Sequence, residues 1–347
     1  MAETSPIATM AEILSKDLFK TFFWQTNEIY DQNWPCEDPT QHVLPIVEDH
    51  IGDAGLELKG KRKAPVRKKT HPTDVVFYYD EPFRTVRTYV NCDLKSYAAG
   101  SITPGKILDA LQDLAASLKC AESSEVWRNL YIHDNVNAEI IGLLFIYNHD
   151  EVYDKDFDRI LSAVNHDKLD IPAGARIIVM GPNDIQWLNN VHSEIRTMRG
   201  SEELPMPHLC RFYYPNLVRK KNVQDTSAAT IEMLMGPWIV MKYKATEDSK
   251  ENVIVFYRGR GELTQEFLHL IDYLMYHNLI DQGVSVSIRT LDPDPASAAI
   301  FQKAISDYIE AFRGGPDIEK RLRAVEYKQF NKIKVNFSQV ELGRKHE

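Results

Sequence analysis

From Thr85 to Leu94 the sequence alternates, and this run constrains the chain more than any other. Val86, Thr88, Val90, Cys92 and Leu94 fall at one parity; Arg87, Tyr89, Asn91, Asp93 and Lys95 fall at the other. Successive side chains of a strand point to opposite faces, whereas a helix needs a period of 3.6, so this stretch is a strand. Upstream, Asp74 to Tyr79 is a continuous β-rich run, and Asp80-Glu81-Pro82 between the two is a turn signal. Together they predict a β-hairpin with one buried face and one polar face.

Other elements arrange themselves around that hairpin. Ile13, Leu14, Leu18, Phe22 and Phe23 recur at three- and four-residue steps, which predicts a helix over 10–34, ended by Pro35. After the hairpin, Thr103 is a candidate N-cap and Pro104 a first helical residue. Ile107, Leu108, Leu111, Leu114 and Leu118 then form an apolar stripe. A buried strand is expected at Ile140 to Tyr147, closing a first domain over residues 1–150. Residues 151–347 read as a second α/β domain. Its helices are expected at 156–164, 184–198, 264–279 and 296–312, and its strands at 175–180, 238–244, 253–257, 284–290 and 333–337. The fold class is therefore α/β, or α+β mixed.

Composition narrows the function. A chain of 347 residues, 44% of them hydrophobic, can bury two cores. A net charge of -9 excludes a generally basic nucleic-acid coat, so contact with DNA or RNA must come from a local patch. Lys59, Lys61, Arg62, Lys63, Arg67, Lys68 and Lys69 form such a patch. Gly60 and Pro65 interrupt it, which predicts a loop able to meet a phosphate backbone, or one that is simply solvated. Cys36, Cys92, Cys120 and Cys210 make no CxxC pair and no compact Cys/His spacing, so they read as reduced thiols. No apolar run approaches 18 residues and no secretory leader is recognisable, so the expectation is a cytoplasmic protein without a membrane partner.

Chemistry concentrates at Asp74 and at Asp93-Leu94-Lys95. Asp93 and Lys95 are two apart on one strand and share a face. Asp74, on the partner strand, can approach Asp93 across the hairpin. Two carboxylates suit a hard divalent cation such as Mg2+, or Mn2+, which takes oxygen ligands and few of them. An ammonium beside them can orient an attacking water and balance developing negative charge. The set is sufficient to hydrolyse a phosphodiester.

Pro72-Thr73-Asp74 followed by Asp93-Leu94-Lys95 resembles the signature of the PD-(D/E)XK nuclease superfamily. The order of helix, hairpin, Asp-x-Lys strand, helix and strand over roughly residues 10–150 is similar as well. The resemblance implies a restriction-endonuclease-like domain that cleaves DNA with Mg2+, with Asp74 and Asp93 as metal ligands and Lys95 at the water. It departs in the extra Thr73 between Pro72 and Asp74. It also implies a further acid on the preceding helix, for which Glu28 is the first candidate and Glu48 the second. His71 is placed to touch a metal-bound water or to be structural. Restriction or antiphage defence is the natural setting, with a protein partner or a homodimer supplying recognition or restraint.

Other signals point elsewhere only weakly. Arg258-Gly259-Arg260-Gly261 could cradle a phosphate, but lacks the full glycine spacing and reads better as a strand-to-helix turn. No G-x-S-x-G elbow is present. The competing class is a non-catalytic assembly subunit, in which the nuclease-like domain is a scaffold that binds protein.

Overall fold

The computed structural model describes residues 13–39, 42, 69–133, 136–150, 152–215, 227–312 and 315–333. They form a mixed α/β fold with two five-stranded sheets. The chain resolves into two compact units. One comprises 1–11, 26–77 and 89–179, the other 12–25, 78–88 and 180–347. Neither unit is a continuous stretch.

The first sheet runs β1 (Gln25–Pro35), β2 (Thr70–Asp80), β3 (Arg87–Tyr97), β4 (Ala138–Asn148) and β5 (Ile177–Met180), hydrogen-bonded in that order. The β2–β3 pair is the hairpin that the alternation requires. Only residues 81–86 join the two strands, too few for a parallel crossover. The Glu81 N–H donates to the Val86 carbonyl at 3.0 Å, and Arg87 pairs with Asp80 at 2.7 Å.

Helix α1 (Pro104–Ala121) follows, capped by the Thr103 hydroxyl, which accepts the Lys106 N–H. Its stripe of Ile107, Leu111, Leu114 and Leu118 is buried, each such side chain contributing about 1.5–3 kcal/mol. The stripe packs on β4 so closely that a Cβ at Gly142 would lie 2.9 Å from Leu118 Cδ1. A short helix α2 (Glu125–Tyr131) comes next, and α3 (Phe157–Ser162) lies between β4 and β5. The domain end expected near residue 150 falls in the turn after β4. The sheet goes on to β5, where the Gly142 N–H donates to the Arg176 carbonyl at 2.9 Å.

Two expectations need correction. The helix expected over 10–34 ends at Thr21, after turns at Leu14–Leu18 and Phe19–Thr21, and residues 25–35 are strand β1. Phe23, Glu28 and Asp31 have φ of 65°, 57° and 49°, a left-handed conformation that breaks an α-helix. Second, β3 does not carry a solvated face. Thr88, Tyr89, Val90, Asn91 and Cys92 are all buried, because β3 lies inside the sheet and α1 covers it, with Asn91 Nδ2 donating to the Ser117 hydroxyl at 3.2 Å. The final strand expected at 333–337 lies almost wholly outside the described residues, among which the last strand is β10 (Glu326–Gln329).

In the second unit, β6 (Cys210–Phe212), β7 (Trp238–Lys244), β8 (Glu251–Tyr257), β9 (Val286–Thr290) and β10 form a mixed sheet. The pairs β6–β7 and β7–β8 are antiparallel, and β8–β9 and β9–β10 are parallel. The unit's helices are α4 (Pro182–Gly200), α5 (Ile231–Met235), α6 (Thr264–Tyr276), α7 (Ser297–Phe312) and α8 (Pro316–Arg323). Phe267, Leu270, Ile271 and Leu274 of α6 and Phe301, Ala304 and Ile305 of α7 pack with Val255 and Ile288 in one core. The Arg258–Gly261 segment is an ordinary turn. Gly261 needs its φ of 68°, and Glu266 accepts the N–H groups of Gly261 and Leu263 that a phosphate would have used. Arg258 is paired with Asp184.

Candidate active site

Asp74 lies in β2 and is almost fully buried. Its Oδ2 accepts the Leu94 backbone N–H at 2.6 Å, which pins the carboxylate against the segment that carries Asp93 and Lys95. Lys95 Nζ pairs with Asp93 Oδ1 at 2.7 Å. The three side chains expected from the motif thus meet at one place in the hairpin.

Electrostatics there are those of crowded anions. Burial, and then the neighbouring charge of Asp93, push Asp74 from an ordinary 3.8 up to about 7. The Leu94 hydrogen bond and Lys95 oppose the rise, and Asp31 adds to it. Burial works against the Lys95 ammonium. The charge and hydrogen bond of Asp93, with Asp74 behind, overcome it and leave the group more firmly protonated than usual. Two hard oxygen donors that repel one another fit a divalent cation of the Mg2+ kind, because such an ion removes the repulsion and takes only one or two protein carboxylates.

Sequence reasoning missed two neighbours of this site. Asp31, half-buried in β1, is close enough for its charge to act on Asp74. Tyr131, at the end of α2, is buried, and its hydroxyl is pushed upward by burial and by the charge of Asp74. Asp31 is hidden in the sequence because the periodicity predicts a helix over 10–34; as strand β1, the same stretch delivers an acid from the sheet. Glu28 is exposed on β1 rather than on a helix, its backbone in the left-handed region. Among the charges that act on Asp74 are those of Asp93, Lys95 and Asp31.

The surroundings explain the extra Thr73. Its hydroxyl accepts from Trp34 Nε1 and donates to Asn91 Oδ1, both at 3.0 Å, so the residue ahead of Asp74 is a buried tie between β1, β2 and β3. Asn91 is therefore part of the framework and not of a polar cleft. His71 is wholly buried and faces Cys36, His42 and Cys120. Lys69, just before β2, is exposed. Lys59, Lys61, Arg62, Lys63, Arg67, Lys68 and Glu48 lie outside the described residues. No described helix is long and apolar enough to cross a membrane.

Residues 1–184 match the family described as GAPS4 protein PD-(D/E)XK nuclease domain. No curated protein and no solved structure matches the chain. The family match spans more than half of the 347 residues and contains β1 to β5 with the whole Asp74, Asp93 and Lys95 site. The chain belongs to the GAPS4 family of PD-(D/E)XK nuclease-domain proteins.

Proposed function

We propose that this protein is a DNA endonuclease that uses Mg2+, or Mn2+, held by Asp74 and Asp93. The observation that carries the reading is the burial of Asp74 beside Asp93 with Lys95 paired to the same carboxylate. Such an arrangement costs folding free energy and is repaid when a cation binds. Asp31 is the better third acid, because its charge acts on Asp74, and Glu28, exposed on β1, is the weaker. A bound divalent ion supplies Lewis-acid stabilisation of the phosphorane-like charge.

The chain's own residues do the rest. The Leu94 N–H holds one Asp74 oxygen fixed and leaves the other for a ligand. Lys95, kept protonated, would donate to the attacking water or to a phosphate oxygen, while Asp93 and Asp74 would hold the ion. The basic run Lys61, Arg62, Lys63, Arg67, Lys68 and Lys69 is proposed to hold the DNA backbone. Unrestrained DNA cleavage is toxic to the cell that makes the enzyme. Antiphage defence or restriction in the cytoplasm, with a protein partner or a second copy as the restraint, is the setting that fits such an activity.

The test is to incubate the purified protein with supercoiled plasmid, linear duplex or RNA, under Mg2+, Mn2+ or chelator. Metal-dependent cutting of DNA is expected. Cutting of RNA alone would overturn the substrate. No cutting under any divalent ion, with candidate partners supplied, would favour the scaffold reading.

A further inference from the structure

Four metal-ligating side chains outside the nuclease site converge in the first unit. They are Cys36, just after β1, His42, His71 near the start of β2, and Cys120 near the end of α1. One donor atom from each lies within 4.8 Å of the other three. Cys36 Sγ is 3.8 Å from Cys120 Sγ and 3.3 Å from His42 Nδ1. His42 Nδ1 is 3.5 Å from Cys120 Sγ and 3.3 Å from His71 Nε2.

Those separations can be compared with a tetrahedral zinc centre. With metal–sulfur bonds of about 2.3 Å and metal–nitrogen bonds of about 2.05 Å, its edges are about 3.8 Å for S···S, about 3.6 Å for S···N and about 3.3 Å for N···N. The four separations above agree with these values to within about 0.3 Å, and the S···S edge is the longest of them. Hydrogen bonds between thiols and imidazoles have similar lengths; what points to a metal is that four such donors converge on one point. The donor set of two sulfurs and two nitrogens is one that favours zinc.

We propose that Cys36, His42, His71 and Cys120 bind a structural zinc ion, distinct from the ion of the nuclease site. Cys36, His71 and Cys120 are buried and His42 half-buried, so all four positions of the ion are filled by protein and none is open for water or substrate. The donors come from positions 6, 29 and 84 residues apart, which is why no compact zinc spacing is visible in the sequence. The ion would fasten the end of β1 and the end of α1 to the start of β2. It would do so three residues before Asp74, and at both ends of the stretch from His42 to His71.

Metal analysis of the full chain, purified under reducing conditions without added zinc, tests this. About one zinc per chain is expected. Cys36→Ser with Cys120→Ser should lose it, and Asp93→Ala, which removes a nuclease-site carboxylate, should retain it. If the cysteine variants do not fold, cobalt substitution of the wild-type protein reads the same site. Thiolate-to-cobalt charge transfer and the intense visible bands of tetrahedral cobalt are then expected. Zinc far below one per chain, or zinc unaffected by both cysteine changes, overturns the proposal. So does iron in its place, or a Cys36–Cys120 disulfide found by mass spectrometry of unreduced protein. None of these outcomes depends on nuclease activity, so the two readings fail separately.

Discussion

Asp74 is the residue whose chemistry is most sharply set by its surroundings. Folded, it holds its proton up to about 7; unfolded, it releases it near the ordinary 3.8. Between those values the native state binds more protons than the unfolded one, so stability falls as pH rises from about 4 to about 7 and is level above that. The loss is on the order of 4 kcal/mol at about 1.4 kcal/mol per pH unit. Denaturant titrations of metal-free protein across this range should show the decline, and Asp74→Asn should flatten it. A divalent ion needs the carboxylate, so Mg2+ affinity should climb with pH and level off near 7. An affinity independent of pH across the interval, measured by calorimetry, would contradict the assignment of Asp74 as a ligand.

At the scale of elements, the hairpin and α1 could be read from the sequence because local periodicity determines them. The pattern around Asp93 and Lys95 and the Thr103 cap both survive in the folded chain. Strand β1 could not be read so. Its Trp34 is held by Thr73, and its left-handed residues, Glu28 and Asp31, carry no local signature that would mark a strand. Burial of Tyr89 and Asn91 was equally hidden, since it depends on α1 arriving from further along the chain. The same ties predict a cost. Thr73→Val leaves Trp34 Nε1 and Asn91 Oδ1 without this partner and should destabilise the protein by about 1–3 kcal/mol in urea unfolding. Neutralising Lys61, Arg62, Lys63, Arg67, Lys68 and Lys69 together should weaken DNA binding and reduce the slope of log affinity against log salt by up to about five. An unchanged slope would remove that run from the interface.

For the whole molecule, the two units share the chain in alternating pieces, which a left-to-right reading of the sequence does not reveal. Residues 12–25 and 78–88 belong to the second unit, and β5 completes the first sheet beyond residue 150. A piece spanning 1–150 lacks that strand and leaves one edge of β4 unpaired. It should show no cooperative thermal transition, whereas the full chain should; a sharp transition in the piece would show that residues 1–150 suffice. The central claim, that Asp93 and Lys95 serve metal-dependent DNA cleavage, has a direct test in the rate of Mg2+-dependent plasmid nicking. It should be measured side by side for the wild type, Asp93→Asn and Lys95→Ala, with folding verified for each. The account predicts cleavage by the wild type, abolished by chelator, and a loss of roughly 100-fold or more in both variants. Variants that cut as fast as the wild type would contradict it.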